Sequence, residues 1–346
     1  MEYGAIDLHK QRSVIRIINE QGTVILDRRI DTTRDAFAKL FGGRARMRVL
    51  LESSTESEWV AQCVEALGHE VVVADPNYTL MYGARSRKIK TDRRDVAALA
   101  EACRTGIYRP AYRRSAAGRE LRQTLRVRRQ LVTMRTDSIN LLRAVLRQEG
   151  VRLPSGHAES VLQRLARVTV PAAVRAVLAP LMTTMEAITR TLTALDDELA
   201  AQARGDATTR CLMTAPGVGP IVALTFQAVV DDPARFAGAG PVTAYLGLVP
   251  SEYSSAERRH RGRITKRGSG EVRAMLIQAC WNIWRSRGSL SAGLRAWVHA
   301  LAARRGRQIA IVALARRLAR ALYAMWRDHQ PFTPSPRHAM LARAAA

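Results

Sequence analysis

Three stretches within the first thirty residues decide the fold of the N-terminal third: Tyr3-Gly4-Ala5-Ile6-Asp7-Leu8, Ser13-Val14-Ile15-Arg16-Ile17-Ile18-Asn19 and Thr23-Val24-Ile25-Leu26-Asp27-Arg28-Arg29. The first is a short apolar run that ends on an acid. The second alternates in the manner of a half-buried strand. Glu20-Gln21-Gly22 between the second and third is a turn. Three successive strands with tight turns predict an antiparallel meander. Helix and strand then alternate. Residues 33–41 form a short helix with Thr32 or Thr33 as its cap. Residues 46–51 form a buried strand that ends at Glu52. Residues 56–67 form a helix stopped by Gly68, and residues 70–74 a strand closed by Asp75-Pro76. A helical piece at 78–82 and a basic loop (Arg85, Arg87, Lys88, Lys90) lead to a helix over 92–103.

The order β-β-β-α-β-α-β-α is that of an α/β RNase H-like domain. Open sheets of this kind bind ligands at the carboxyl ends of their strands. Asp7 ends the first strand and Glu52 the fourth, while Asp92 and Asp95 share one face of the following helix. Four acids from three elements on one sheet edge are what a two-metal phosphoryl-transfer site needs, with cations ~3.5–4 Å apart. Hard cations take oxygen ligands. Taken alone, Asp92 and Asp95 would be accounted for by the helix macrodipole. Asp7 and Glu52 turn them into half of a site. Glu56 and Glu58 fall on a polar helix start and complement its dipole.

Charge narrows the partner. Lys and Arg total 55 against 30 Asp and Glu, a net +25, and nearly all the cations are Arg, which suits bidentate phosphate contact. A polyanion is the expected partner. No apolar run approaches the ~20 residues of a membrane span, and the N-terminus opens on a strand pattern with no signal peptide. Cys63, Cys103, Cys211 and Cys280 are far apart without zinc spacing. Nucleic acid in the cytoplasm is therefore expected, and no membrane.

Residues 113–148 read as one long helical region. Leu125, Val132, Ile139 and Leu146 recur every seven residues, thickened by Leu121 and Leu142, a coiled-coil or helical-hairpin pattern. The other faces carry Arg119, Arg122, Arg126, Arg128, Arg129, Arg135, Arg143 and Arg147, opposed only by Glu120, Asp137 and Glu149. Such one-sided charge reads as a nucleic-acid track. A second helix covers 170–203, with Val177, Leu181, Met185, Ile188, Leu192 and Leu195 as its apolar side. Pro180 is expected to kink or split it. The two helices either pack antiparallel or pair with another protomer.

Residues 211–223 read as helix, turn and helix around Gly217-Val218-Gly219, a helix-hairpin-helix that can face a phosphate with backbone N–H groups. A hydroxyl-bearing loop, Ser251-Glu252-Tyr253-Ser254-Ser255, then runs into a dense cationic segment. On residue chemistry alone, Ser254 and Ser255 make turn hydrogen bonds. Residues 271–285 and 309–327 are amphipathic helices with Trp281, Trp284, Trp297 and Trp326 as core anchors, and 331–346 is a loose tail.

Two groups of motifs carry a family resemblance. GAIDLHK (4–10), LLESSTESEW (50–59) and KTDRRDVAALA (90–100) resemble the DEDD-type transposases of bacterial insertion sequences, the IS-one-ten family, whose first domain is similar to the Holliday-junction resolvase RuvC. LGLVP (246–250) with YSSAERRHRGRITKRGSGEVR (253–273) resembles the second transposase domain of that family. The resemblance implies that Asp7, Glu52, Asp92 and Asp95 bind Mg²⁺. It implies a serine nucleophile at Ser255. Ala256 stands where the family has glycine, which keeps Ser254 as an alternative. Lys266 and Arg267, with Arg258, Arg259 and Arg261 of the cationic segment, become phosphate contacts. The implied activity is site-specific DNA recombination on donor and target DNA in the bacterial nucleoid, with a guide RNA made by the element. The implied assembly is a homo-oligomer, dimer or tetramer, using a protruding coiled coil. The rival is a metal-dependent RuvC-like nuclease or junction resolvase without a covalent serine intermediate. The expected division is a RuvC-like domain over 1–110, a helical coiled-coil spacer over 111–205, a mostly α transposase domain with the serine loop over 206–330, and a tail over 331–346.

Overall fold

The chain is described by a computed structural model over residues 1–83, 91–254 and 259–334, and it divides into two compact units, Met1–Arg114 and Ser115–Ala346. The first opens with β1 (Tyr3–Asp7), β2 (Arg12–Ile18) and β3 (Val24–Asp31), the expected antiparallel meander. α1 (Arg34–Phe41) follows. Thr33 caps it, its hydroxyl accepting from the Ala36 N–H, while the Thr32 hydroxyl donates to the His9 carbonyl and ties down the β1–β2 turn. β4 (Arg48–Glu52), α2 (Ser57–Glu65) and β5 (Glu70–Ala74) come next, then a 3-10 turn over Thr79–Tyr82 and α3 (Asp92–Thr105), which ends at left-handed Gly106. The strand order is β3-β2-β1-β4-β5, with β1, β4 and β5 parallel.

Side-chain alternation builds two cores, one on each face of this sheet. Ile6, Ile15, Ile17, Val49 and Leu51 meet Phe37 and Phe41 of α1 and Val60 and Val64 of α2. Ala5, Val14, Ile18 and Leu50 meet Val96, Leu99 and Cys103 of α3. Each fully buried large side chain here contributes about 1.5–3 kcal/mol.

The second unit begins with α4 (Ala116–Gln148), α5 (Val161–Ala166) and α6 (Ala172–Gly205). α4 and α6 pack antiparallel: Leu125 sits with Leu199 and Ala203, while Ile139, Leu142 and Leu146 sit with Leu178 and Met185. Two expectations for α6 need correction. The helix is not split at Pro180, which lies on its exposed side together with Ala176, so the carbonyl deprived of its donor faces water. Val177 is 72% exposed and Leu178 takes the core position, because the apolar face begins one residue later than the pattern suggests. A third correction concerns composition: α6 is long and apolar enough to pass for a membrane span by those criteria alone, owing to its many Ala, Leu, Val and Met residues. It carries Glu186 and Arg190 mid-length and lays Met185, Ile188 and Leu192 inward.

α7 (Ala207–Met213), α8 (Pro220–Val230), α9 (Ala239–Tyr245), β6 (Pro250–Ser254), β7 (Arg259–Ile264), α10 (Gly270–Arg285), α11 (Ala292–Arg305) and α12 (Arg307–Asp328) complete the unit. Their shared core joins Phe226, Leu246, Leu276, Ile283, Val298, Leu314, Leu318, Leu322 and Tyr323. Trp326 is buried, and Trp281, Trp284 and Trp297 pack half-buried against the same core, as anchors should. The segment read from sequence as a hydroxyl loop is in fact an antiparallel hairpin of β6 and β7.

Candidate active site

Parallel pairing sets the first half of the site. Ile6 is in register with Leu51, so Asp7 and Glu52 leave β1 and β4 side by side at the carboxyl edge. α3 lies across the same face and presents Asp92 and Asp95 in its first turn. Asp7 is close enough to the other three acids to feel the charge of each. Burial pushes the Asp7 carboxyl above its ordinary value, and the charges of Glu52, Asp92 and Asp95 push it further, while His9 opposes them. Glu52 accepts a hydrogen bond from the Tyr82 hydroxyl. Asp95 is buried and Asp92 is exposed.

His9 is the residue the sequence reading missed. Its Nε2 lies 3.5 Å from Asp7 Oδ2 and 3.8 Å from Asp92 Oδ1. Single ligand atoms of Asp7, His9 and Asp92 lie within 4.8 Å of one another. The signal was its position two residues beyond Asp7 in GAIDLHK. Glu56 and Glu58 are engaged elsewhere: Glu56 accepts from the Trp59 indole at 2.7 Å, and Arg113 pairs with Glu58 and Glu65.

In the second unit, the β6–β7 hairpin is anchored by a backbone crossing. The Lys266 N–H donates to the Gly247 carbonyl, and the Thr265 N–H to that of Val249. A Cβ on Gly247 would meet Arg267 O at 2.2 Å, and one on Gly268 would meet Tyr245 O at 2.1 Å. Arg273 donates to the carbonyls of Leu246 and Arg267 and locks the crossing. The glycines of Leu246-Gly247-Leu248 and Lys266-Arg267-Gly268 therefore serve one contact between two distant motifs. Ser254 ends β6, Arg259 and Arg261 lie on β7, and Lys266 and Arg267 are exposed. Ser255 and Arg258 lie outside the described residues, as do the basic loop with Lys90 and the tail from 335.

Two family models match the chain in this order. The DEDD transposase model covers residues 5–150 and so takes in all four acids; the model described as "Transposase IS116/IS110/IS902 family" covers 209–294 and takes in the hairpin. The chain belongs to the IS110/IS116 family of DEDD transposases. It is 28% identical over 328 residues to a Pseudomonas aeruginosa protein described as "Probable family 20 transposase", covering 92% of this chain and 95% of that one. It is 26% identical to the transposase for insertion sequence element IS1111A of Coxiella burnetii, covering 92% and 88%, and 26% identical to that for IS1328 of Yersinia enterocolitica, covering 92% and 95%. Transposases of this kind cleave and transfer DNA strands.

DEDD membership implies a divalent metal, and the transposase's residues fit one. Carboxylate oxygens, with an imidazole beside them, are a donor set for a hard or borderline cation. Burial and the neighbouring carboxylates both disfavour a charged Asp7, and a bound cation would offset both.

The predicted arginine track is divided in its roles. Arg128 pairs with Asp196 and braces α4 against α6, while Arg135 pairs with Glu159 and ties α4 to the segment before α5. Arg122, Arg126 and Arg129 lie on other faces of α4. In the α7–α8 turn, Gly217 has φ 73°, and a Cβ there would stand 2.5 Å from the Ala279 carbonyl of α10. That glycine is accounted for by packing. Gly219 faces open space at the start of α8. Cys103 is inert in the transposase's core, its thiol pushed up to about 12 by burial, and burial also raises that of Cys280.

Proposed function

We propose that this transposase cuts and rejoins DNA by phosphoryl transfer, with Asp7, Glu52, Asp92 and Asp95 holding Mg²⁺ and Ser255 as nucleophile. The observation that carries the reading is the meeting of four carboxylates at one edge of a sheet with strand order β3-β2-β1-β4-β5, the order of an RNase H-like domain. The bound cation supplies charge stabilisation on the scissile phosphate. Asp7 and Glu52 stand on strand ends, where the sheet holds them rigidly, and Tyr82 orients Glu52. Ser255 Oγ attacks phosphorus, forming an Oγ–P bond as the bond from phosphorus to a sugar oxygen breaks. The sugar oxygen leaves as a hydroxyl with the proton that the serine gives up. Attack of a sugar hydroxyl on the phosphoserine reverses these bonds and religates the strand. Ser254 is the alternative nucleophile.

On this reading the α7–α8 turn serves as a helix-hairpin-helix and the α4–α6 hairpin as the coiled coil of a homo-oligomer, dimer or tetramer. Arg258, Arg259, Arg261, Lys266 and Arg267 contact phosphates. A guide RNA selects donor and target DNA, in the cytoplasm at the nucleoid. The functional division proposed is a RuvC-like part over 1–110, a helical spacer over 111–205 and a transposase part over 206–330, with a tail over 331–346.

A denaturing gel of purified enzyme with end-labelled donor DNA, any element-encoded RNA and Mg²⁺ tests the proposal. We expect a protein–DNA adduct that disappears in Ser255→Ala, while Asp92→Asn abolishes cleavage. Clean cutting by Ser255→Ala would assign the attack to water and favour the resolvase-like rival. Full activity of Asp92→Asn would remove the acids from the chemistry.

A further inference from the structure

A cavity in the first unit is on the other side of the meander from the acids. It measures about 510 Å³ and lies between edge strand β3 and α1, lined by Arg12, Arg28, Arg29, Asp31 and Lys39 with Ile30 and Leu40 at its base. Four cations face one acid, and that acid is already paired with Arg12 at 3.3 Å. Arg28, Arg29 and Lys39 are exposed and form no ion pair among the described residues. None of these residues belongs to the arginine track or to the cationic segment singled out in the sequence.

Strand register ties this cleft to the acids. Asp7 pairs with Val14, and Val14 pairs with Arg29. The three residues form one row across β1, β2 and β3, so Arg29 emerges on the same face as Asp7. Two strand spacings separate their backbones, about 10 Å. Arg28 pairs with Ile15, whose side chain belongs to the α1 face of the sheet, so its guanidinium is on the opposite side, toward Lys39. The edge strand therefore carries positive charge from the acid face, over the rim, to the cleft under α1.

We propose that this cleft is a binding track for the phosphodiester backbone of the nucleic-acid strand that enters the acid site, with Arg29 holding a phosphate next to the scissile one and Arg28, Lys39 and Arg12 holding those beyond it. The inference rests on the acids being the cutting site. Spacing and chemistry favour it: an anionic polymer cannot approach four carboxylates unaided, and a row of cations one step away offsets their repulsion. The competing explanation is that charges on an edge strand only block pairing with other chains. That explanation needs neither the row with Asp7 nor the cations on both faces.

The full-length enzyme with Arg28→Gln, Arg29→Gln and Lys39→Gln tests the track. Binding to single-stranded and duplex DNA, and to RNA of the same sequence, is measured without divalent metal from ~50 to ~200 mM salt. Three phosphate contacts account for a slope of roughly 2–3 in log affinity against log salt, so the variant's affinity falls roughly 20–40-fold less than that of wild type over this range. Whichever probe loses slope identifies the strand that occupies the track. An unchanged slope on every probe overturns the proposal. As a check that needs no variant, modification of wild-type Arg28 and Arg29 by phenylglyoxal, read by mass spectrometry, falls severalfold when the responding oligonucleotide is bound; equal modification with and without it also overturns the proposal. Activity of Asp92→Asn is assayed alongside. If that variant cuts normally, the acid reading has failed; if it is dead while the cleft variant binds like wild type, the cleft alone has failed.

Discussion

Replacing Gly247 by Ala tests the backbone crossing that anchors the β6–β7 hairpin. The added Cβ would lie 2.2 Å from Arg267 O, 2.6 Å from Arg267 N and 2.8 Å from Lys266 C, where real Cβ atoms essentially never come within 3.0 Å. All three neighbours are backbone, so no side-chain rotation relieves the clash. Gly247 also has φ 66°, which costs a non-glycine residue about 1–2 kcal/mol. Parting the strands breaks the Lys266–Gly247 hydrogen bond of 3.2 Å, worth about 0.5–1.5 kcal/mol. It also strains at least one of the two bonds made by the Arg273 guanidinium, about 1.5–3 kcal/mol each. The expected cost is about 3–6 kcal/mol, which in a unit of this size lowers Tm on the order of 10 °C or more. Gly150→Ala is the control, since Gly150 has φ 70° and nothing within 4 Å of the added Cβ. It should cost about 1–2 kcal/mol. Thermal melts of both variants, with amide exchange at Thr265 and Lys266, decide the matter. Equal losses for the two variants would refute the crossing as the reason for the motif glycines.

Three other outcomes follow from the same geometry. Because the Asp7 carboxyl is raised in the fold, the stability it contributes is present below the ordinary value of 3.8 and is lost as pH rises through the raised value. Asp7→Asn in chelator should therefore melt above wild type at neutral pH, the gap closing toward pH 3–4 and also narrowing when a divalent cation is added; a neutral-pH Tm below wild type would contradict the uncompensated cluster. Leu142→Ala, at a fully buried position of the α4–α6 core, should cost about 2–5 kcal/mol in urea unfolding, whereas Val177→Ala, 72% exposed, should stay within about 0.5 kcal/mol of wild type. A double-mutant cycle on Arg128 and Asp196, partly exposed at 20% and 42%, should give a coupling of about 0.2–1 kcal/mol, and zero coupling would return Arg128 to the pool of nucleic-acid contacts.

Local pattern determined a great deal of this protein. The strand runs at 3–31 specify the meander, Thr33 and Gly68 punctuate their helices, and the heptads of 125–146 mark the buried side of α4, because each of these depends only on neighbours in sequence. The acids at strand ends were legible for the same reason: Asp7 and Glu52 each directly follow their own apolar run. Tertiary structure decided the remainder. His9 joins Asp92 only because α3 crosses the edge where the β1–β2 turn emerges. Val177 yields to Leu178, and Pro180 sits harmlessly in α6, because the partner helix determines which face is wet. Arg128 and Arg135 are braces because acids from α6 and from the segment before α5 reach them. Gly247 and Gly268 are needed because two segments twenty residues apart cross at van der Waals distance. Arg29 faces the acids because strand register, which no single strand contains, puts it in the row of Asp7.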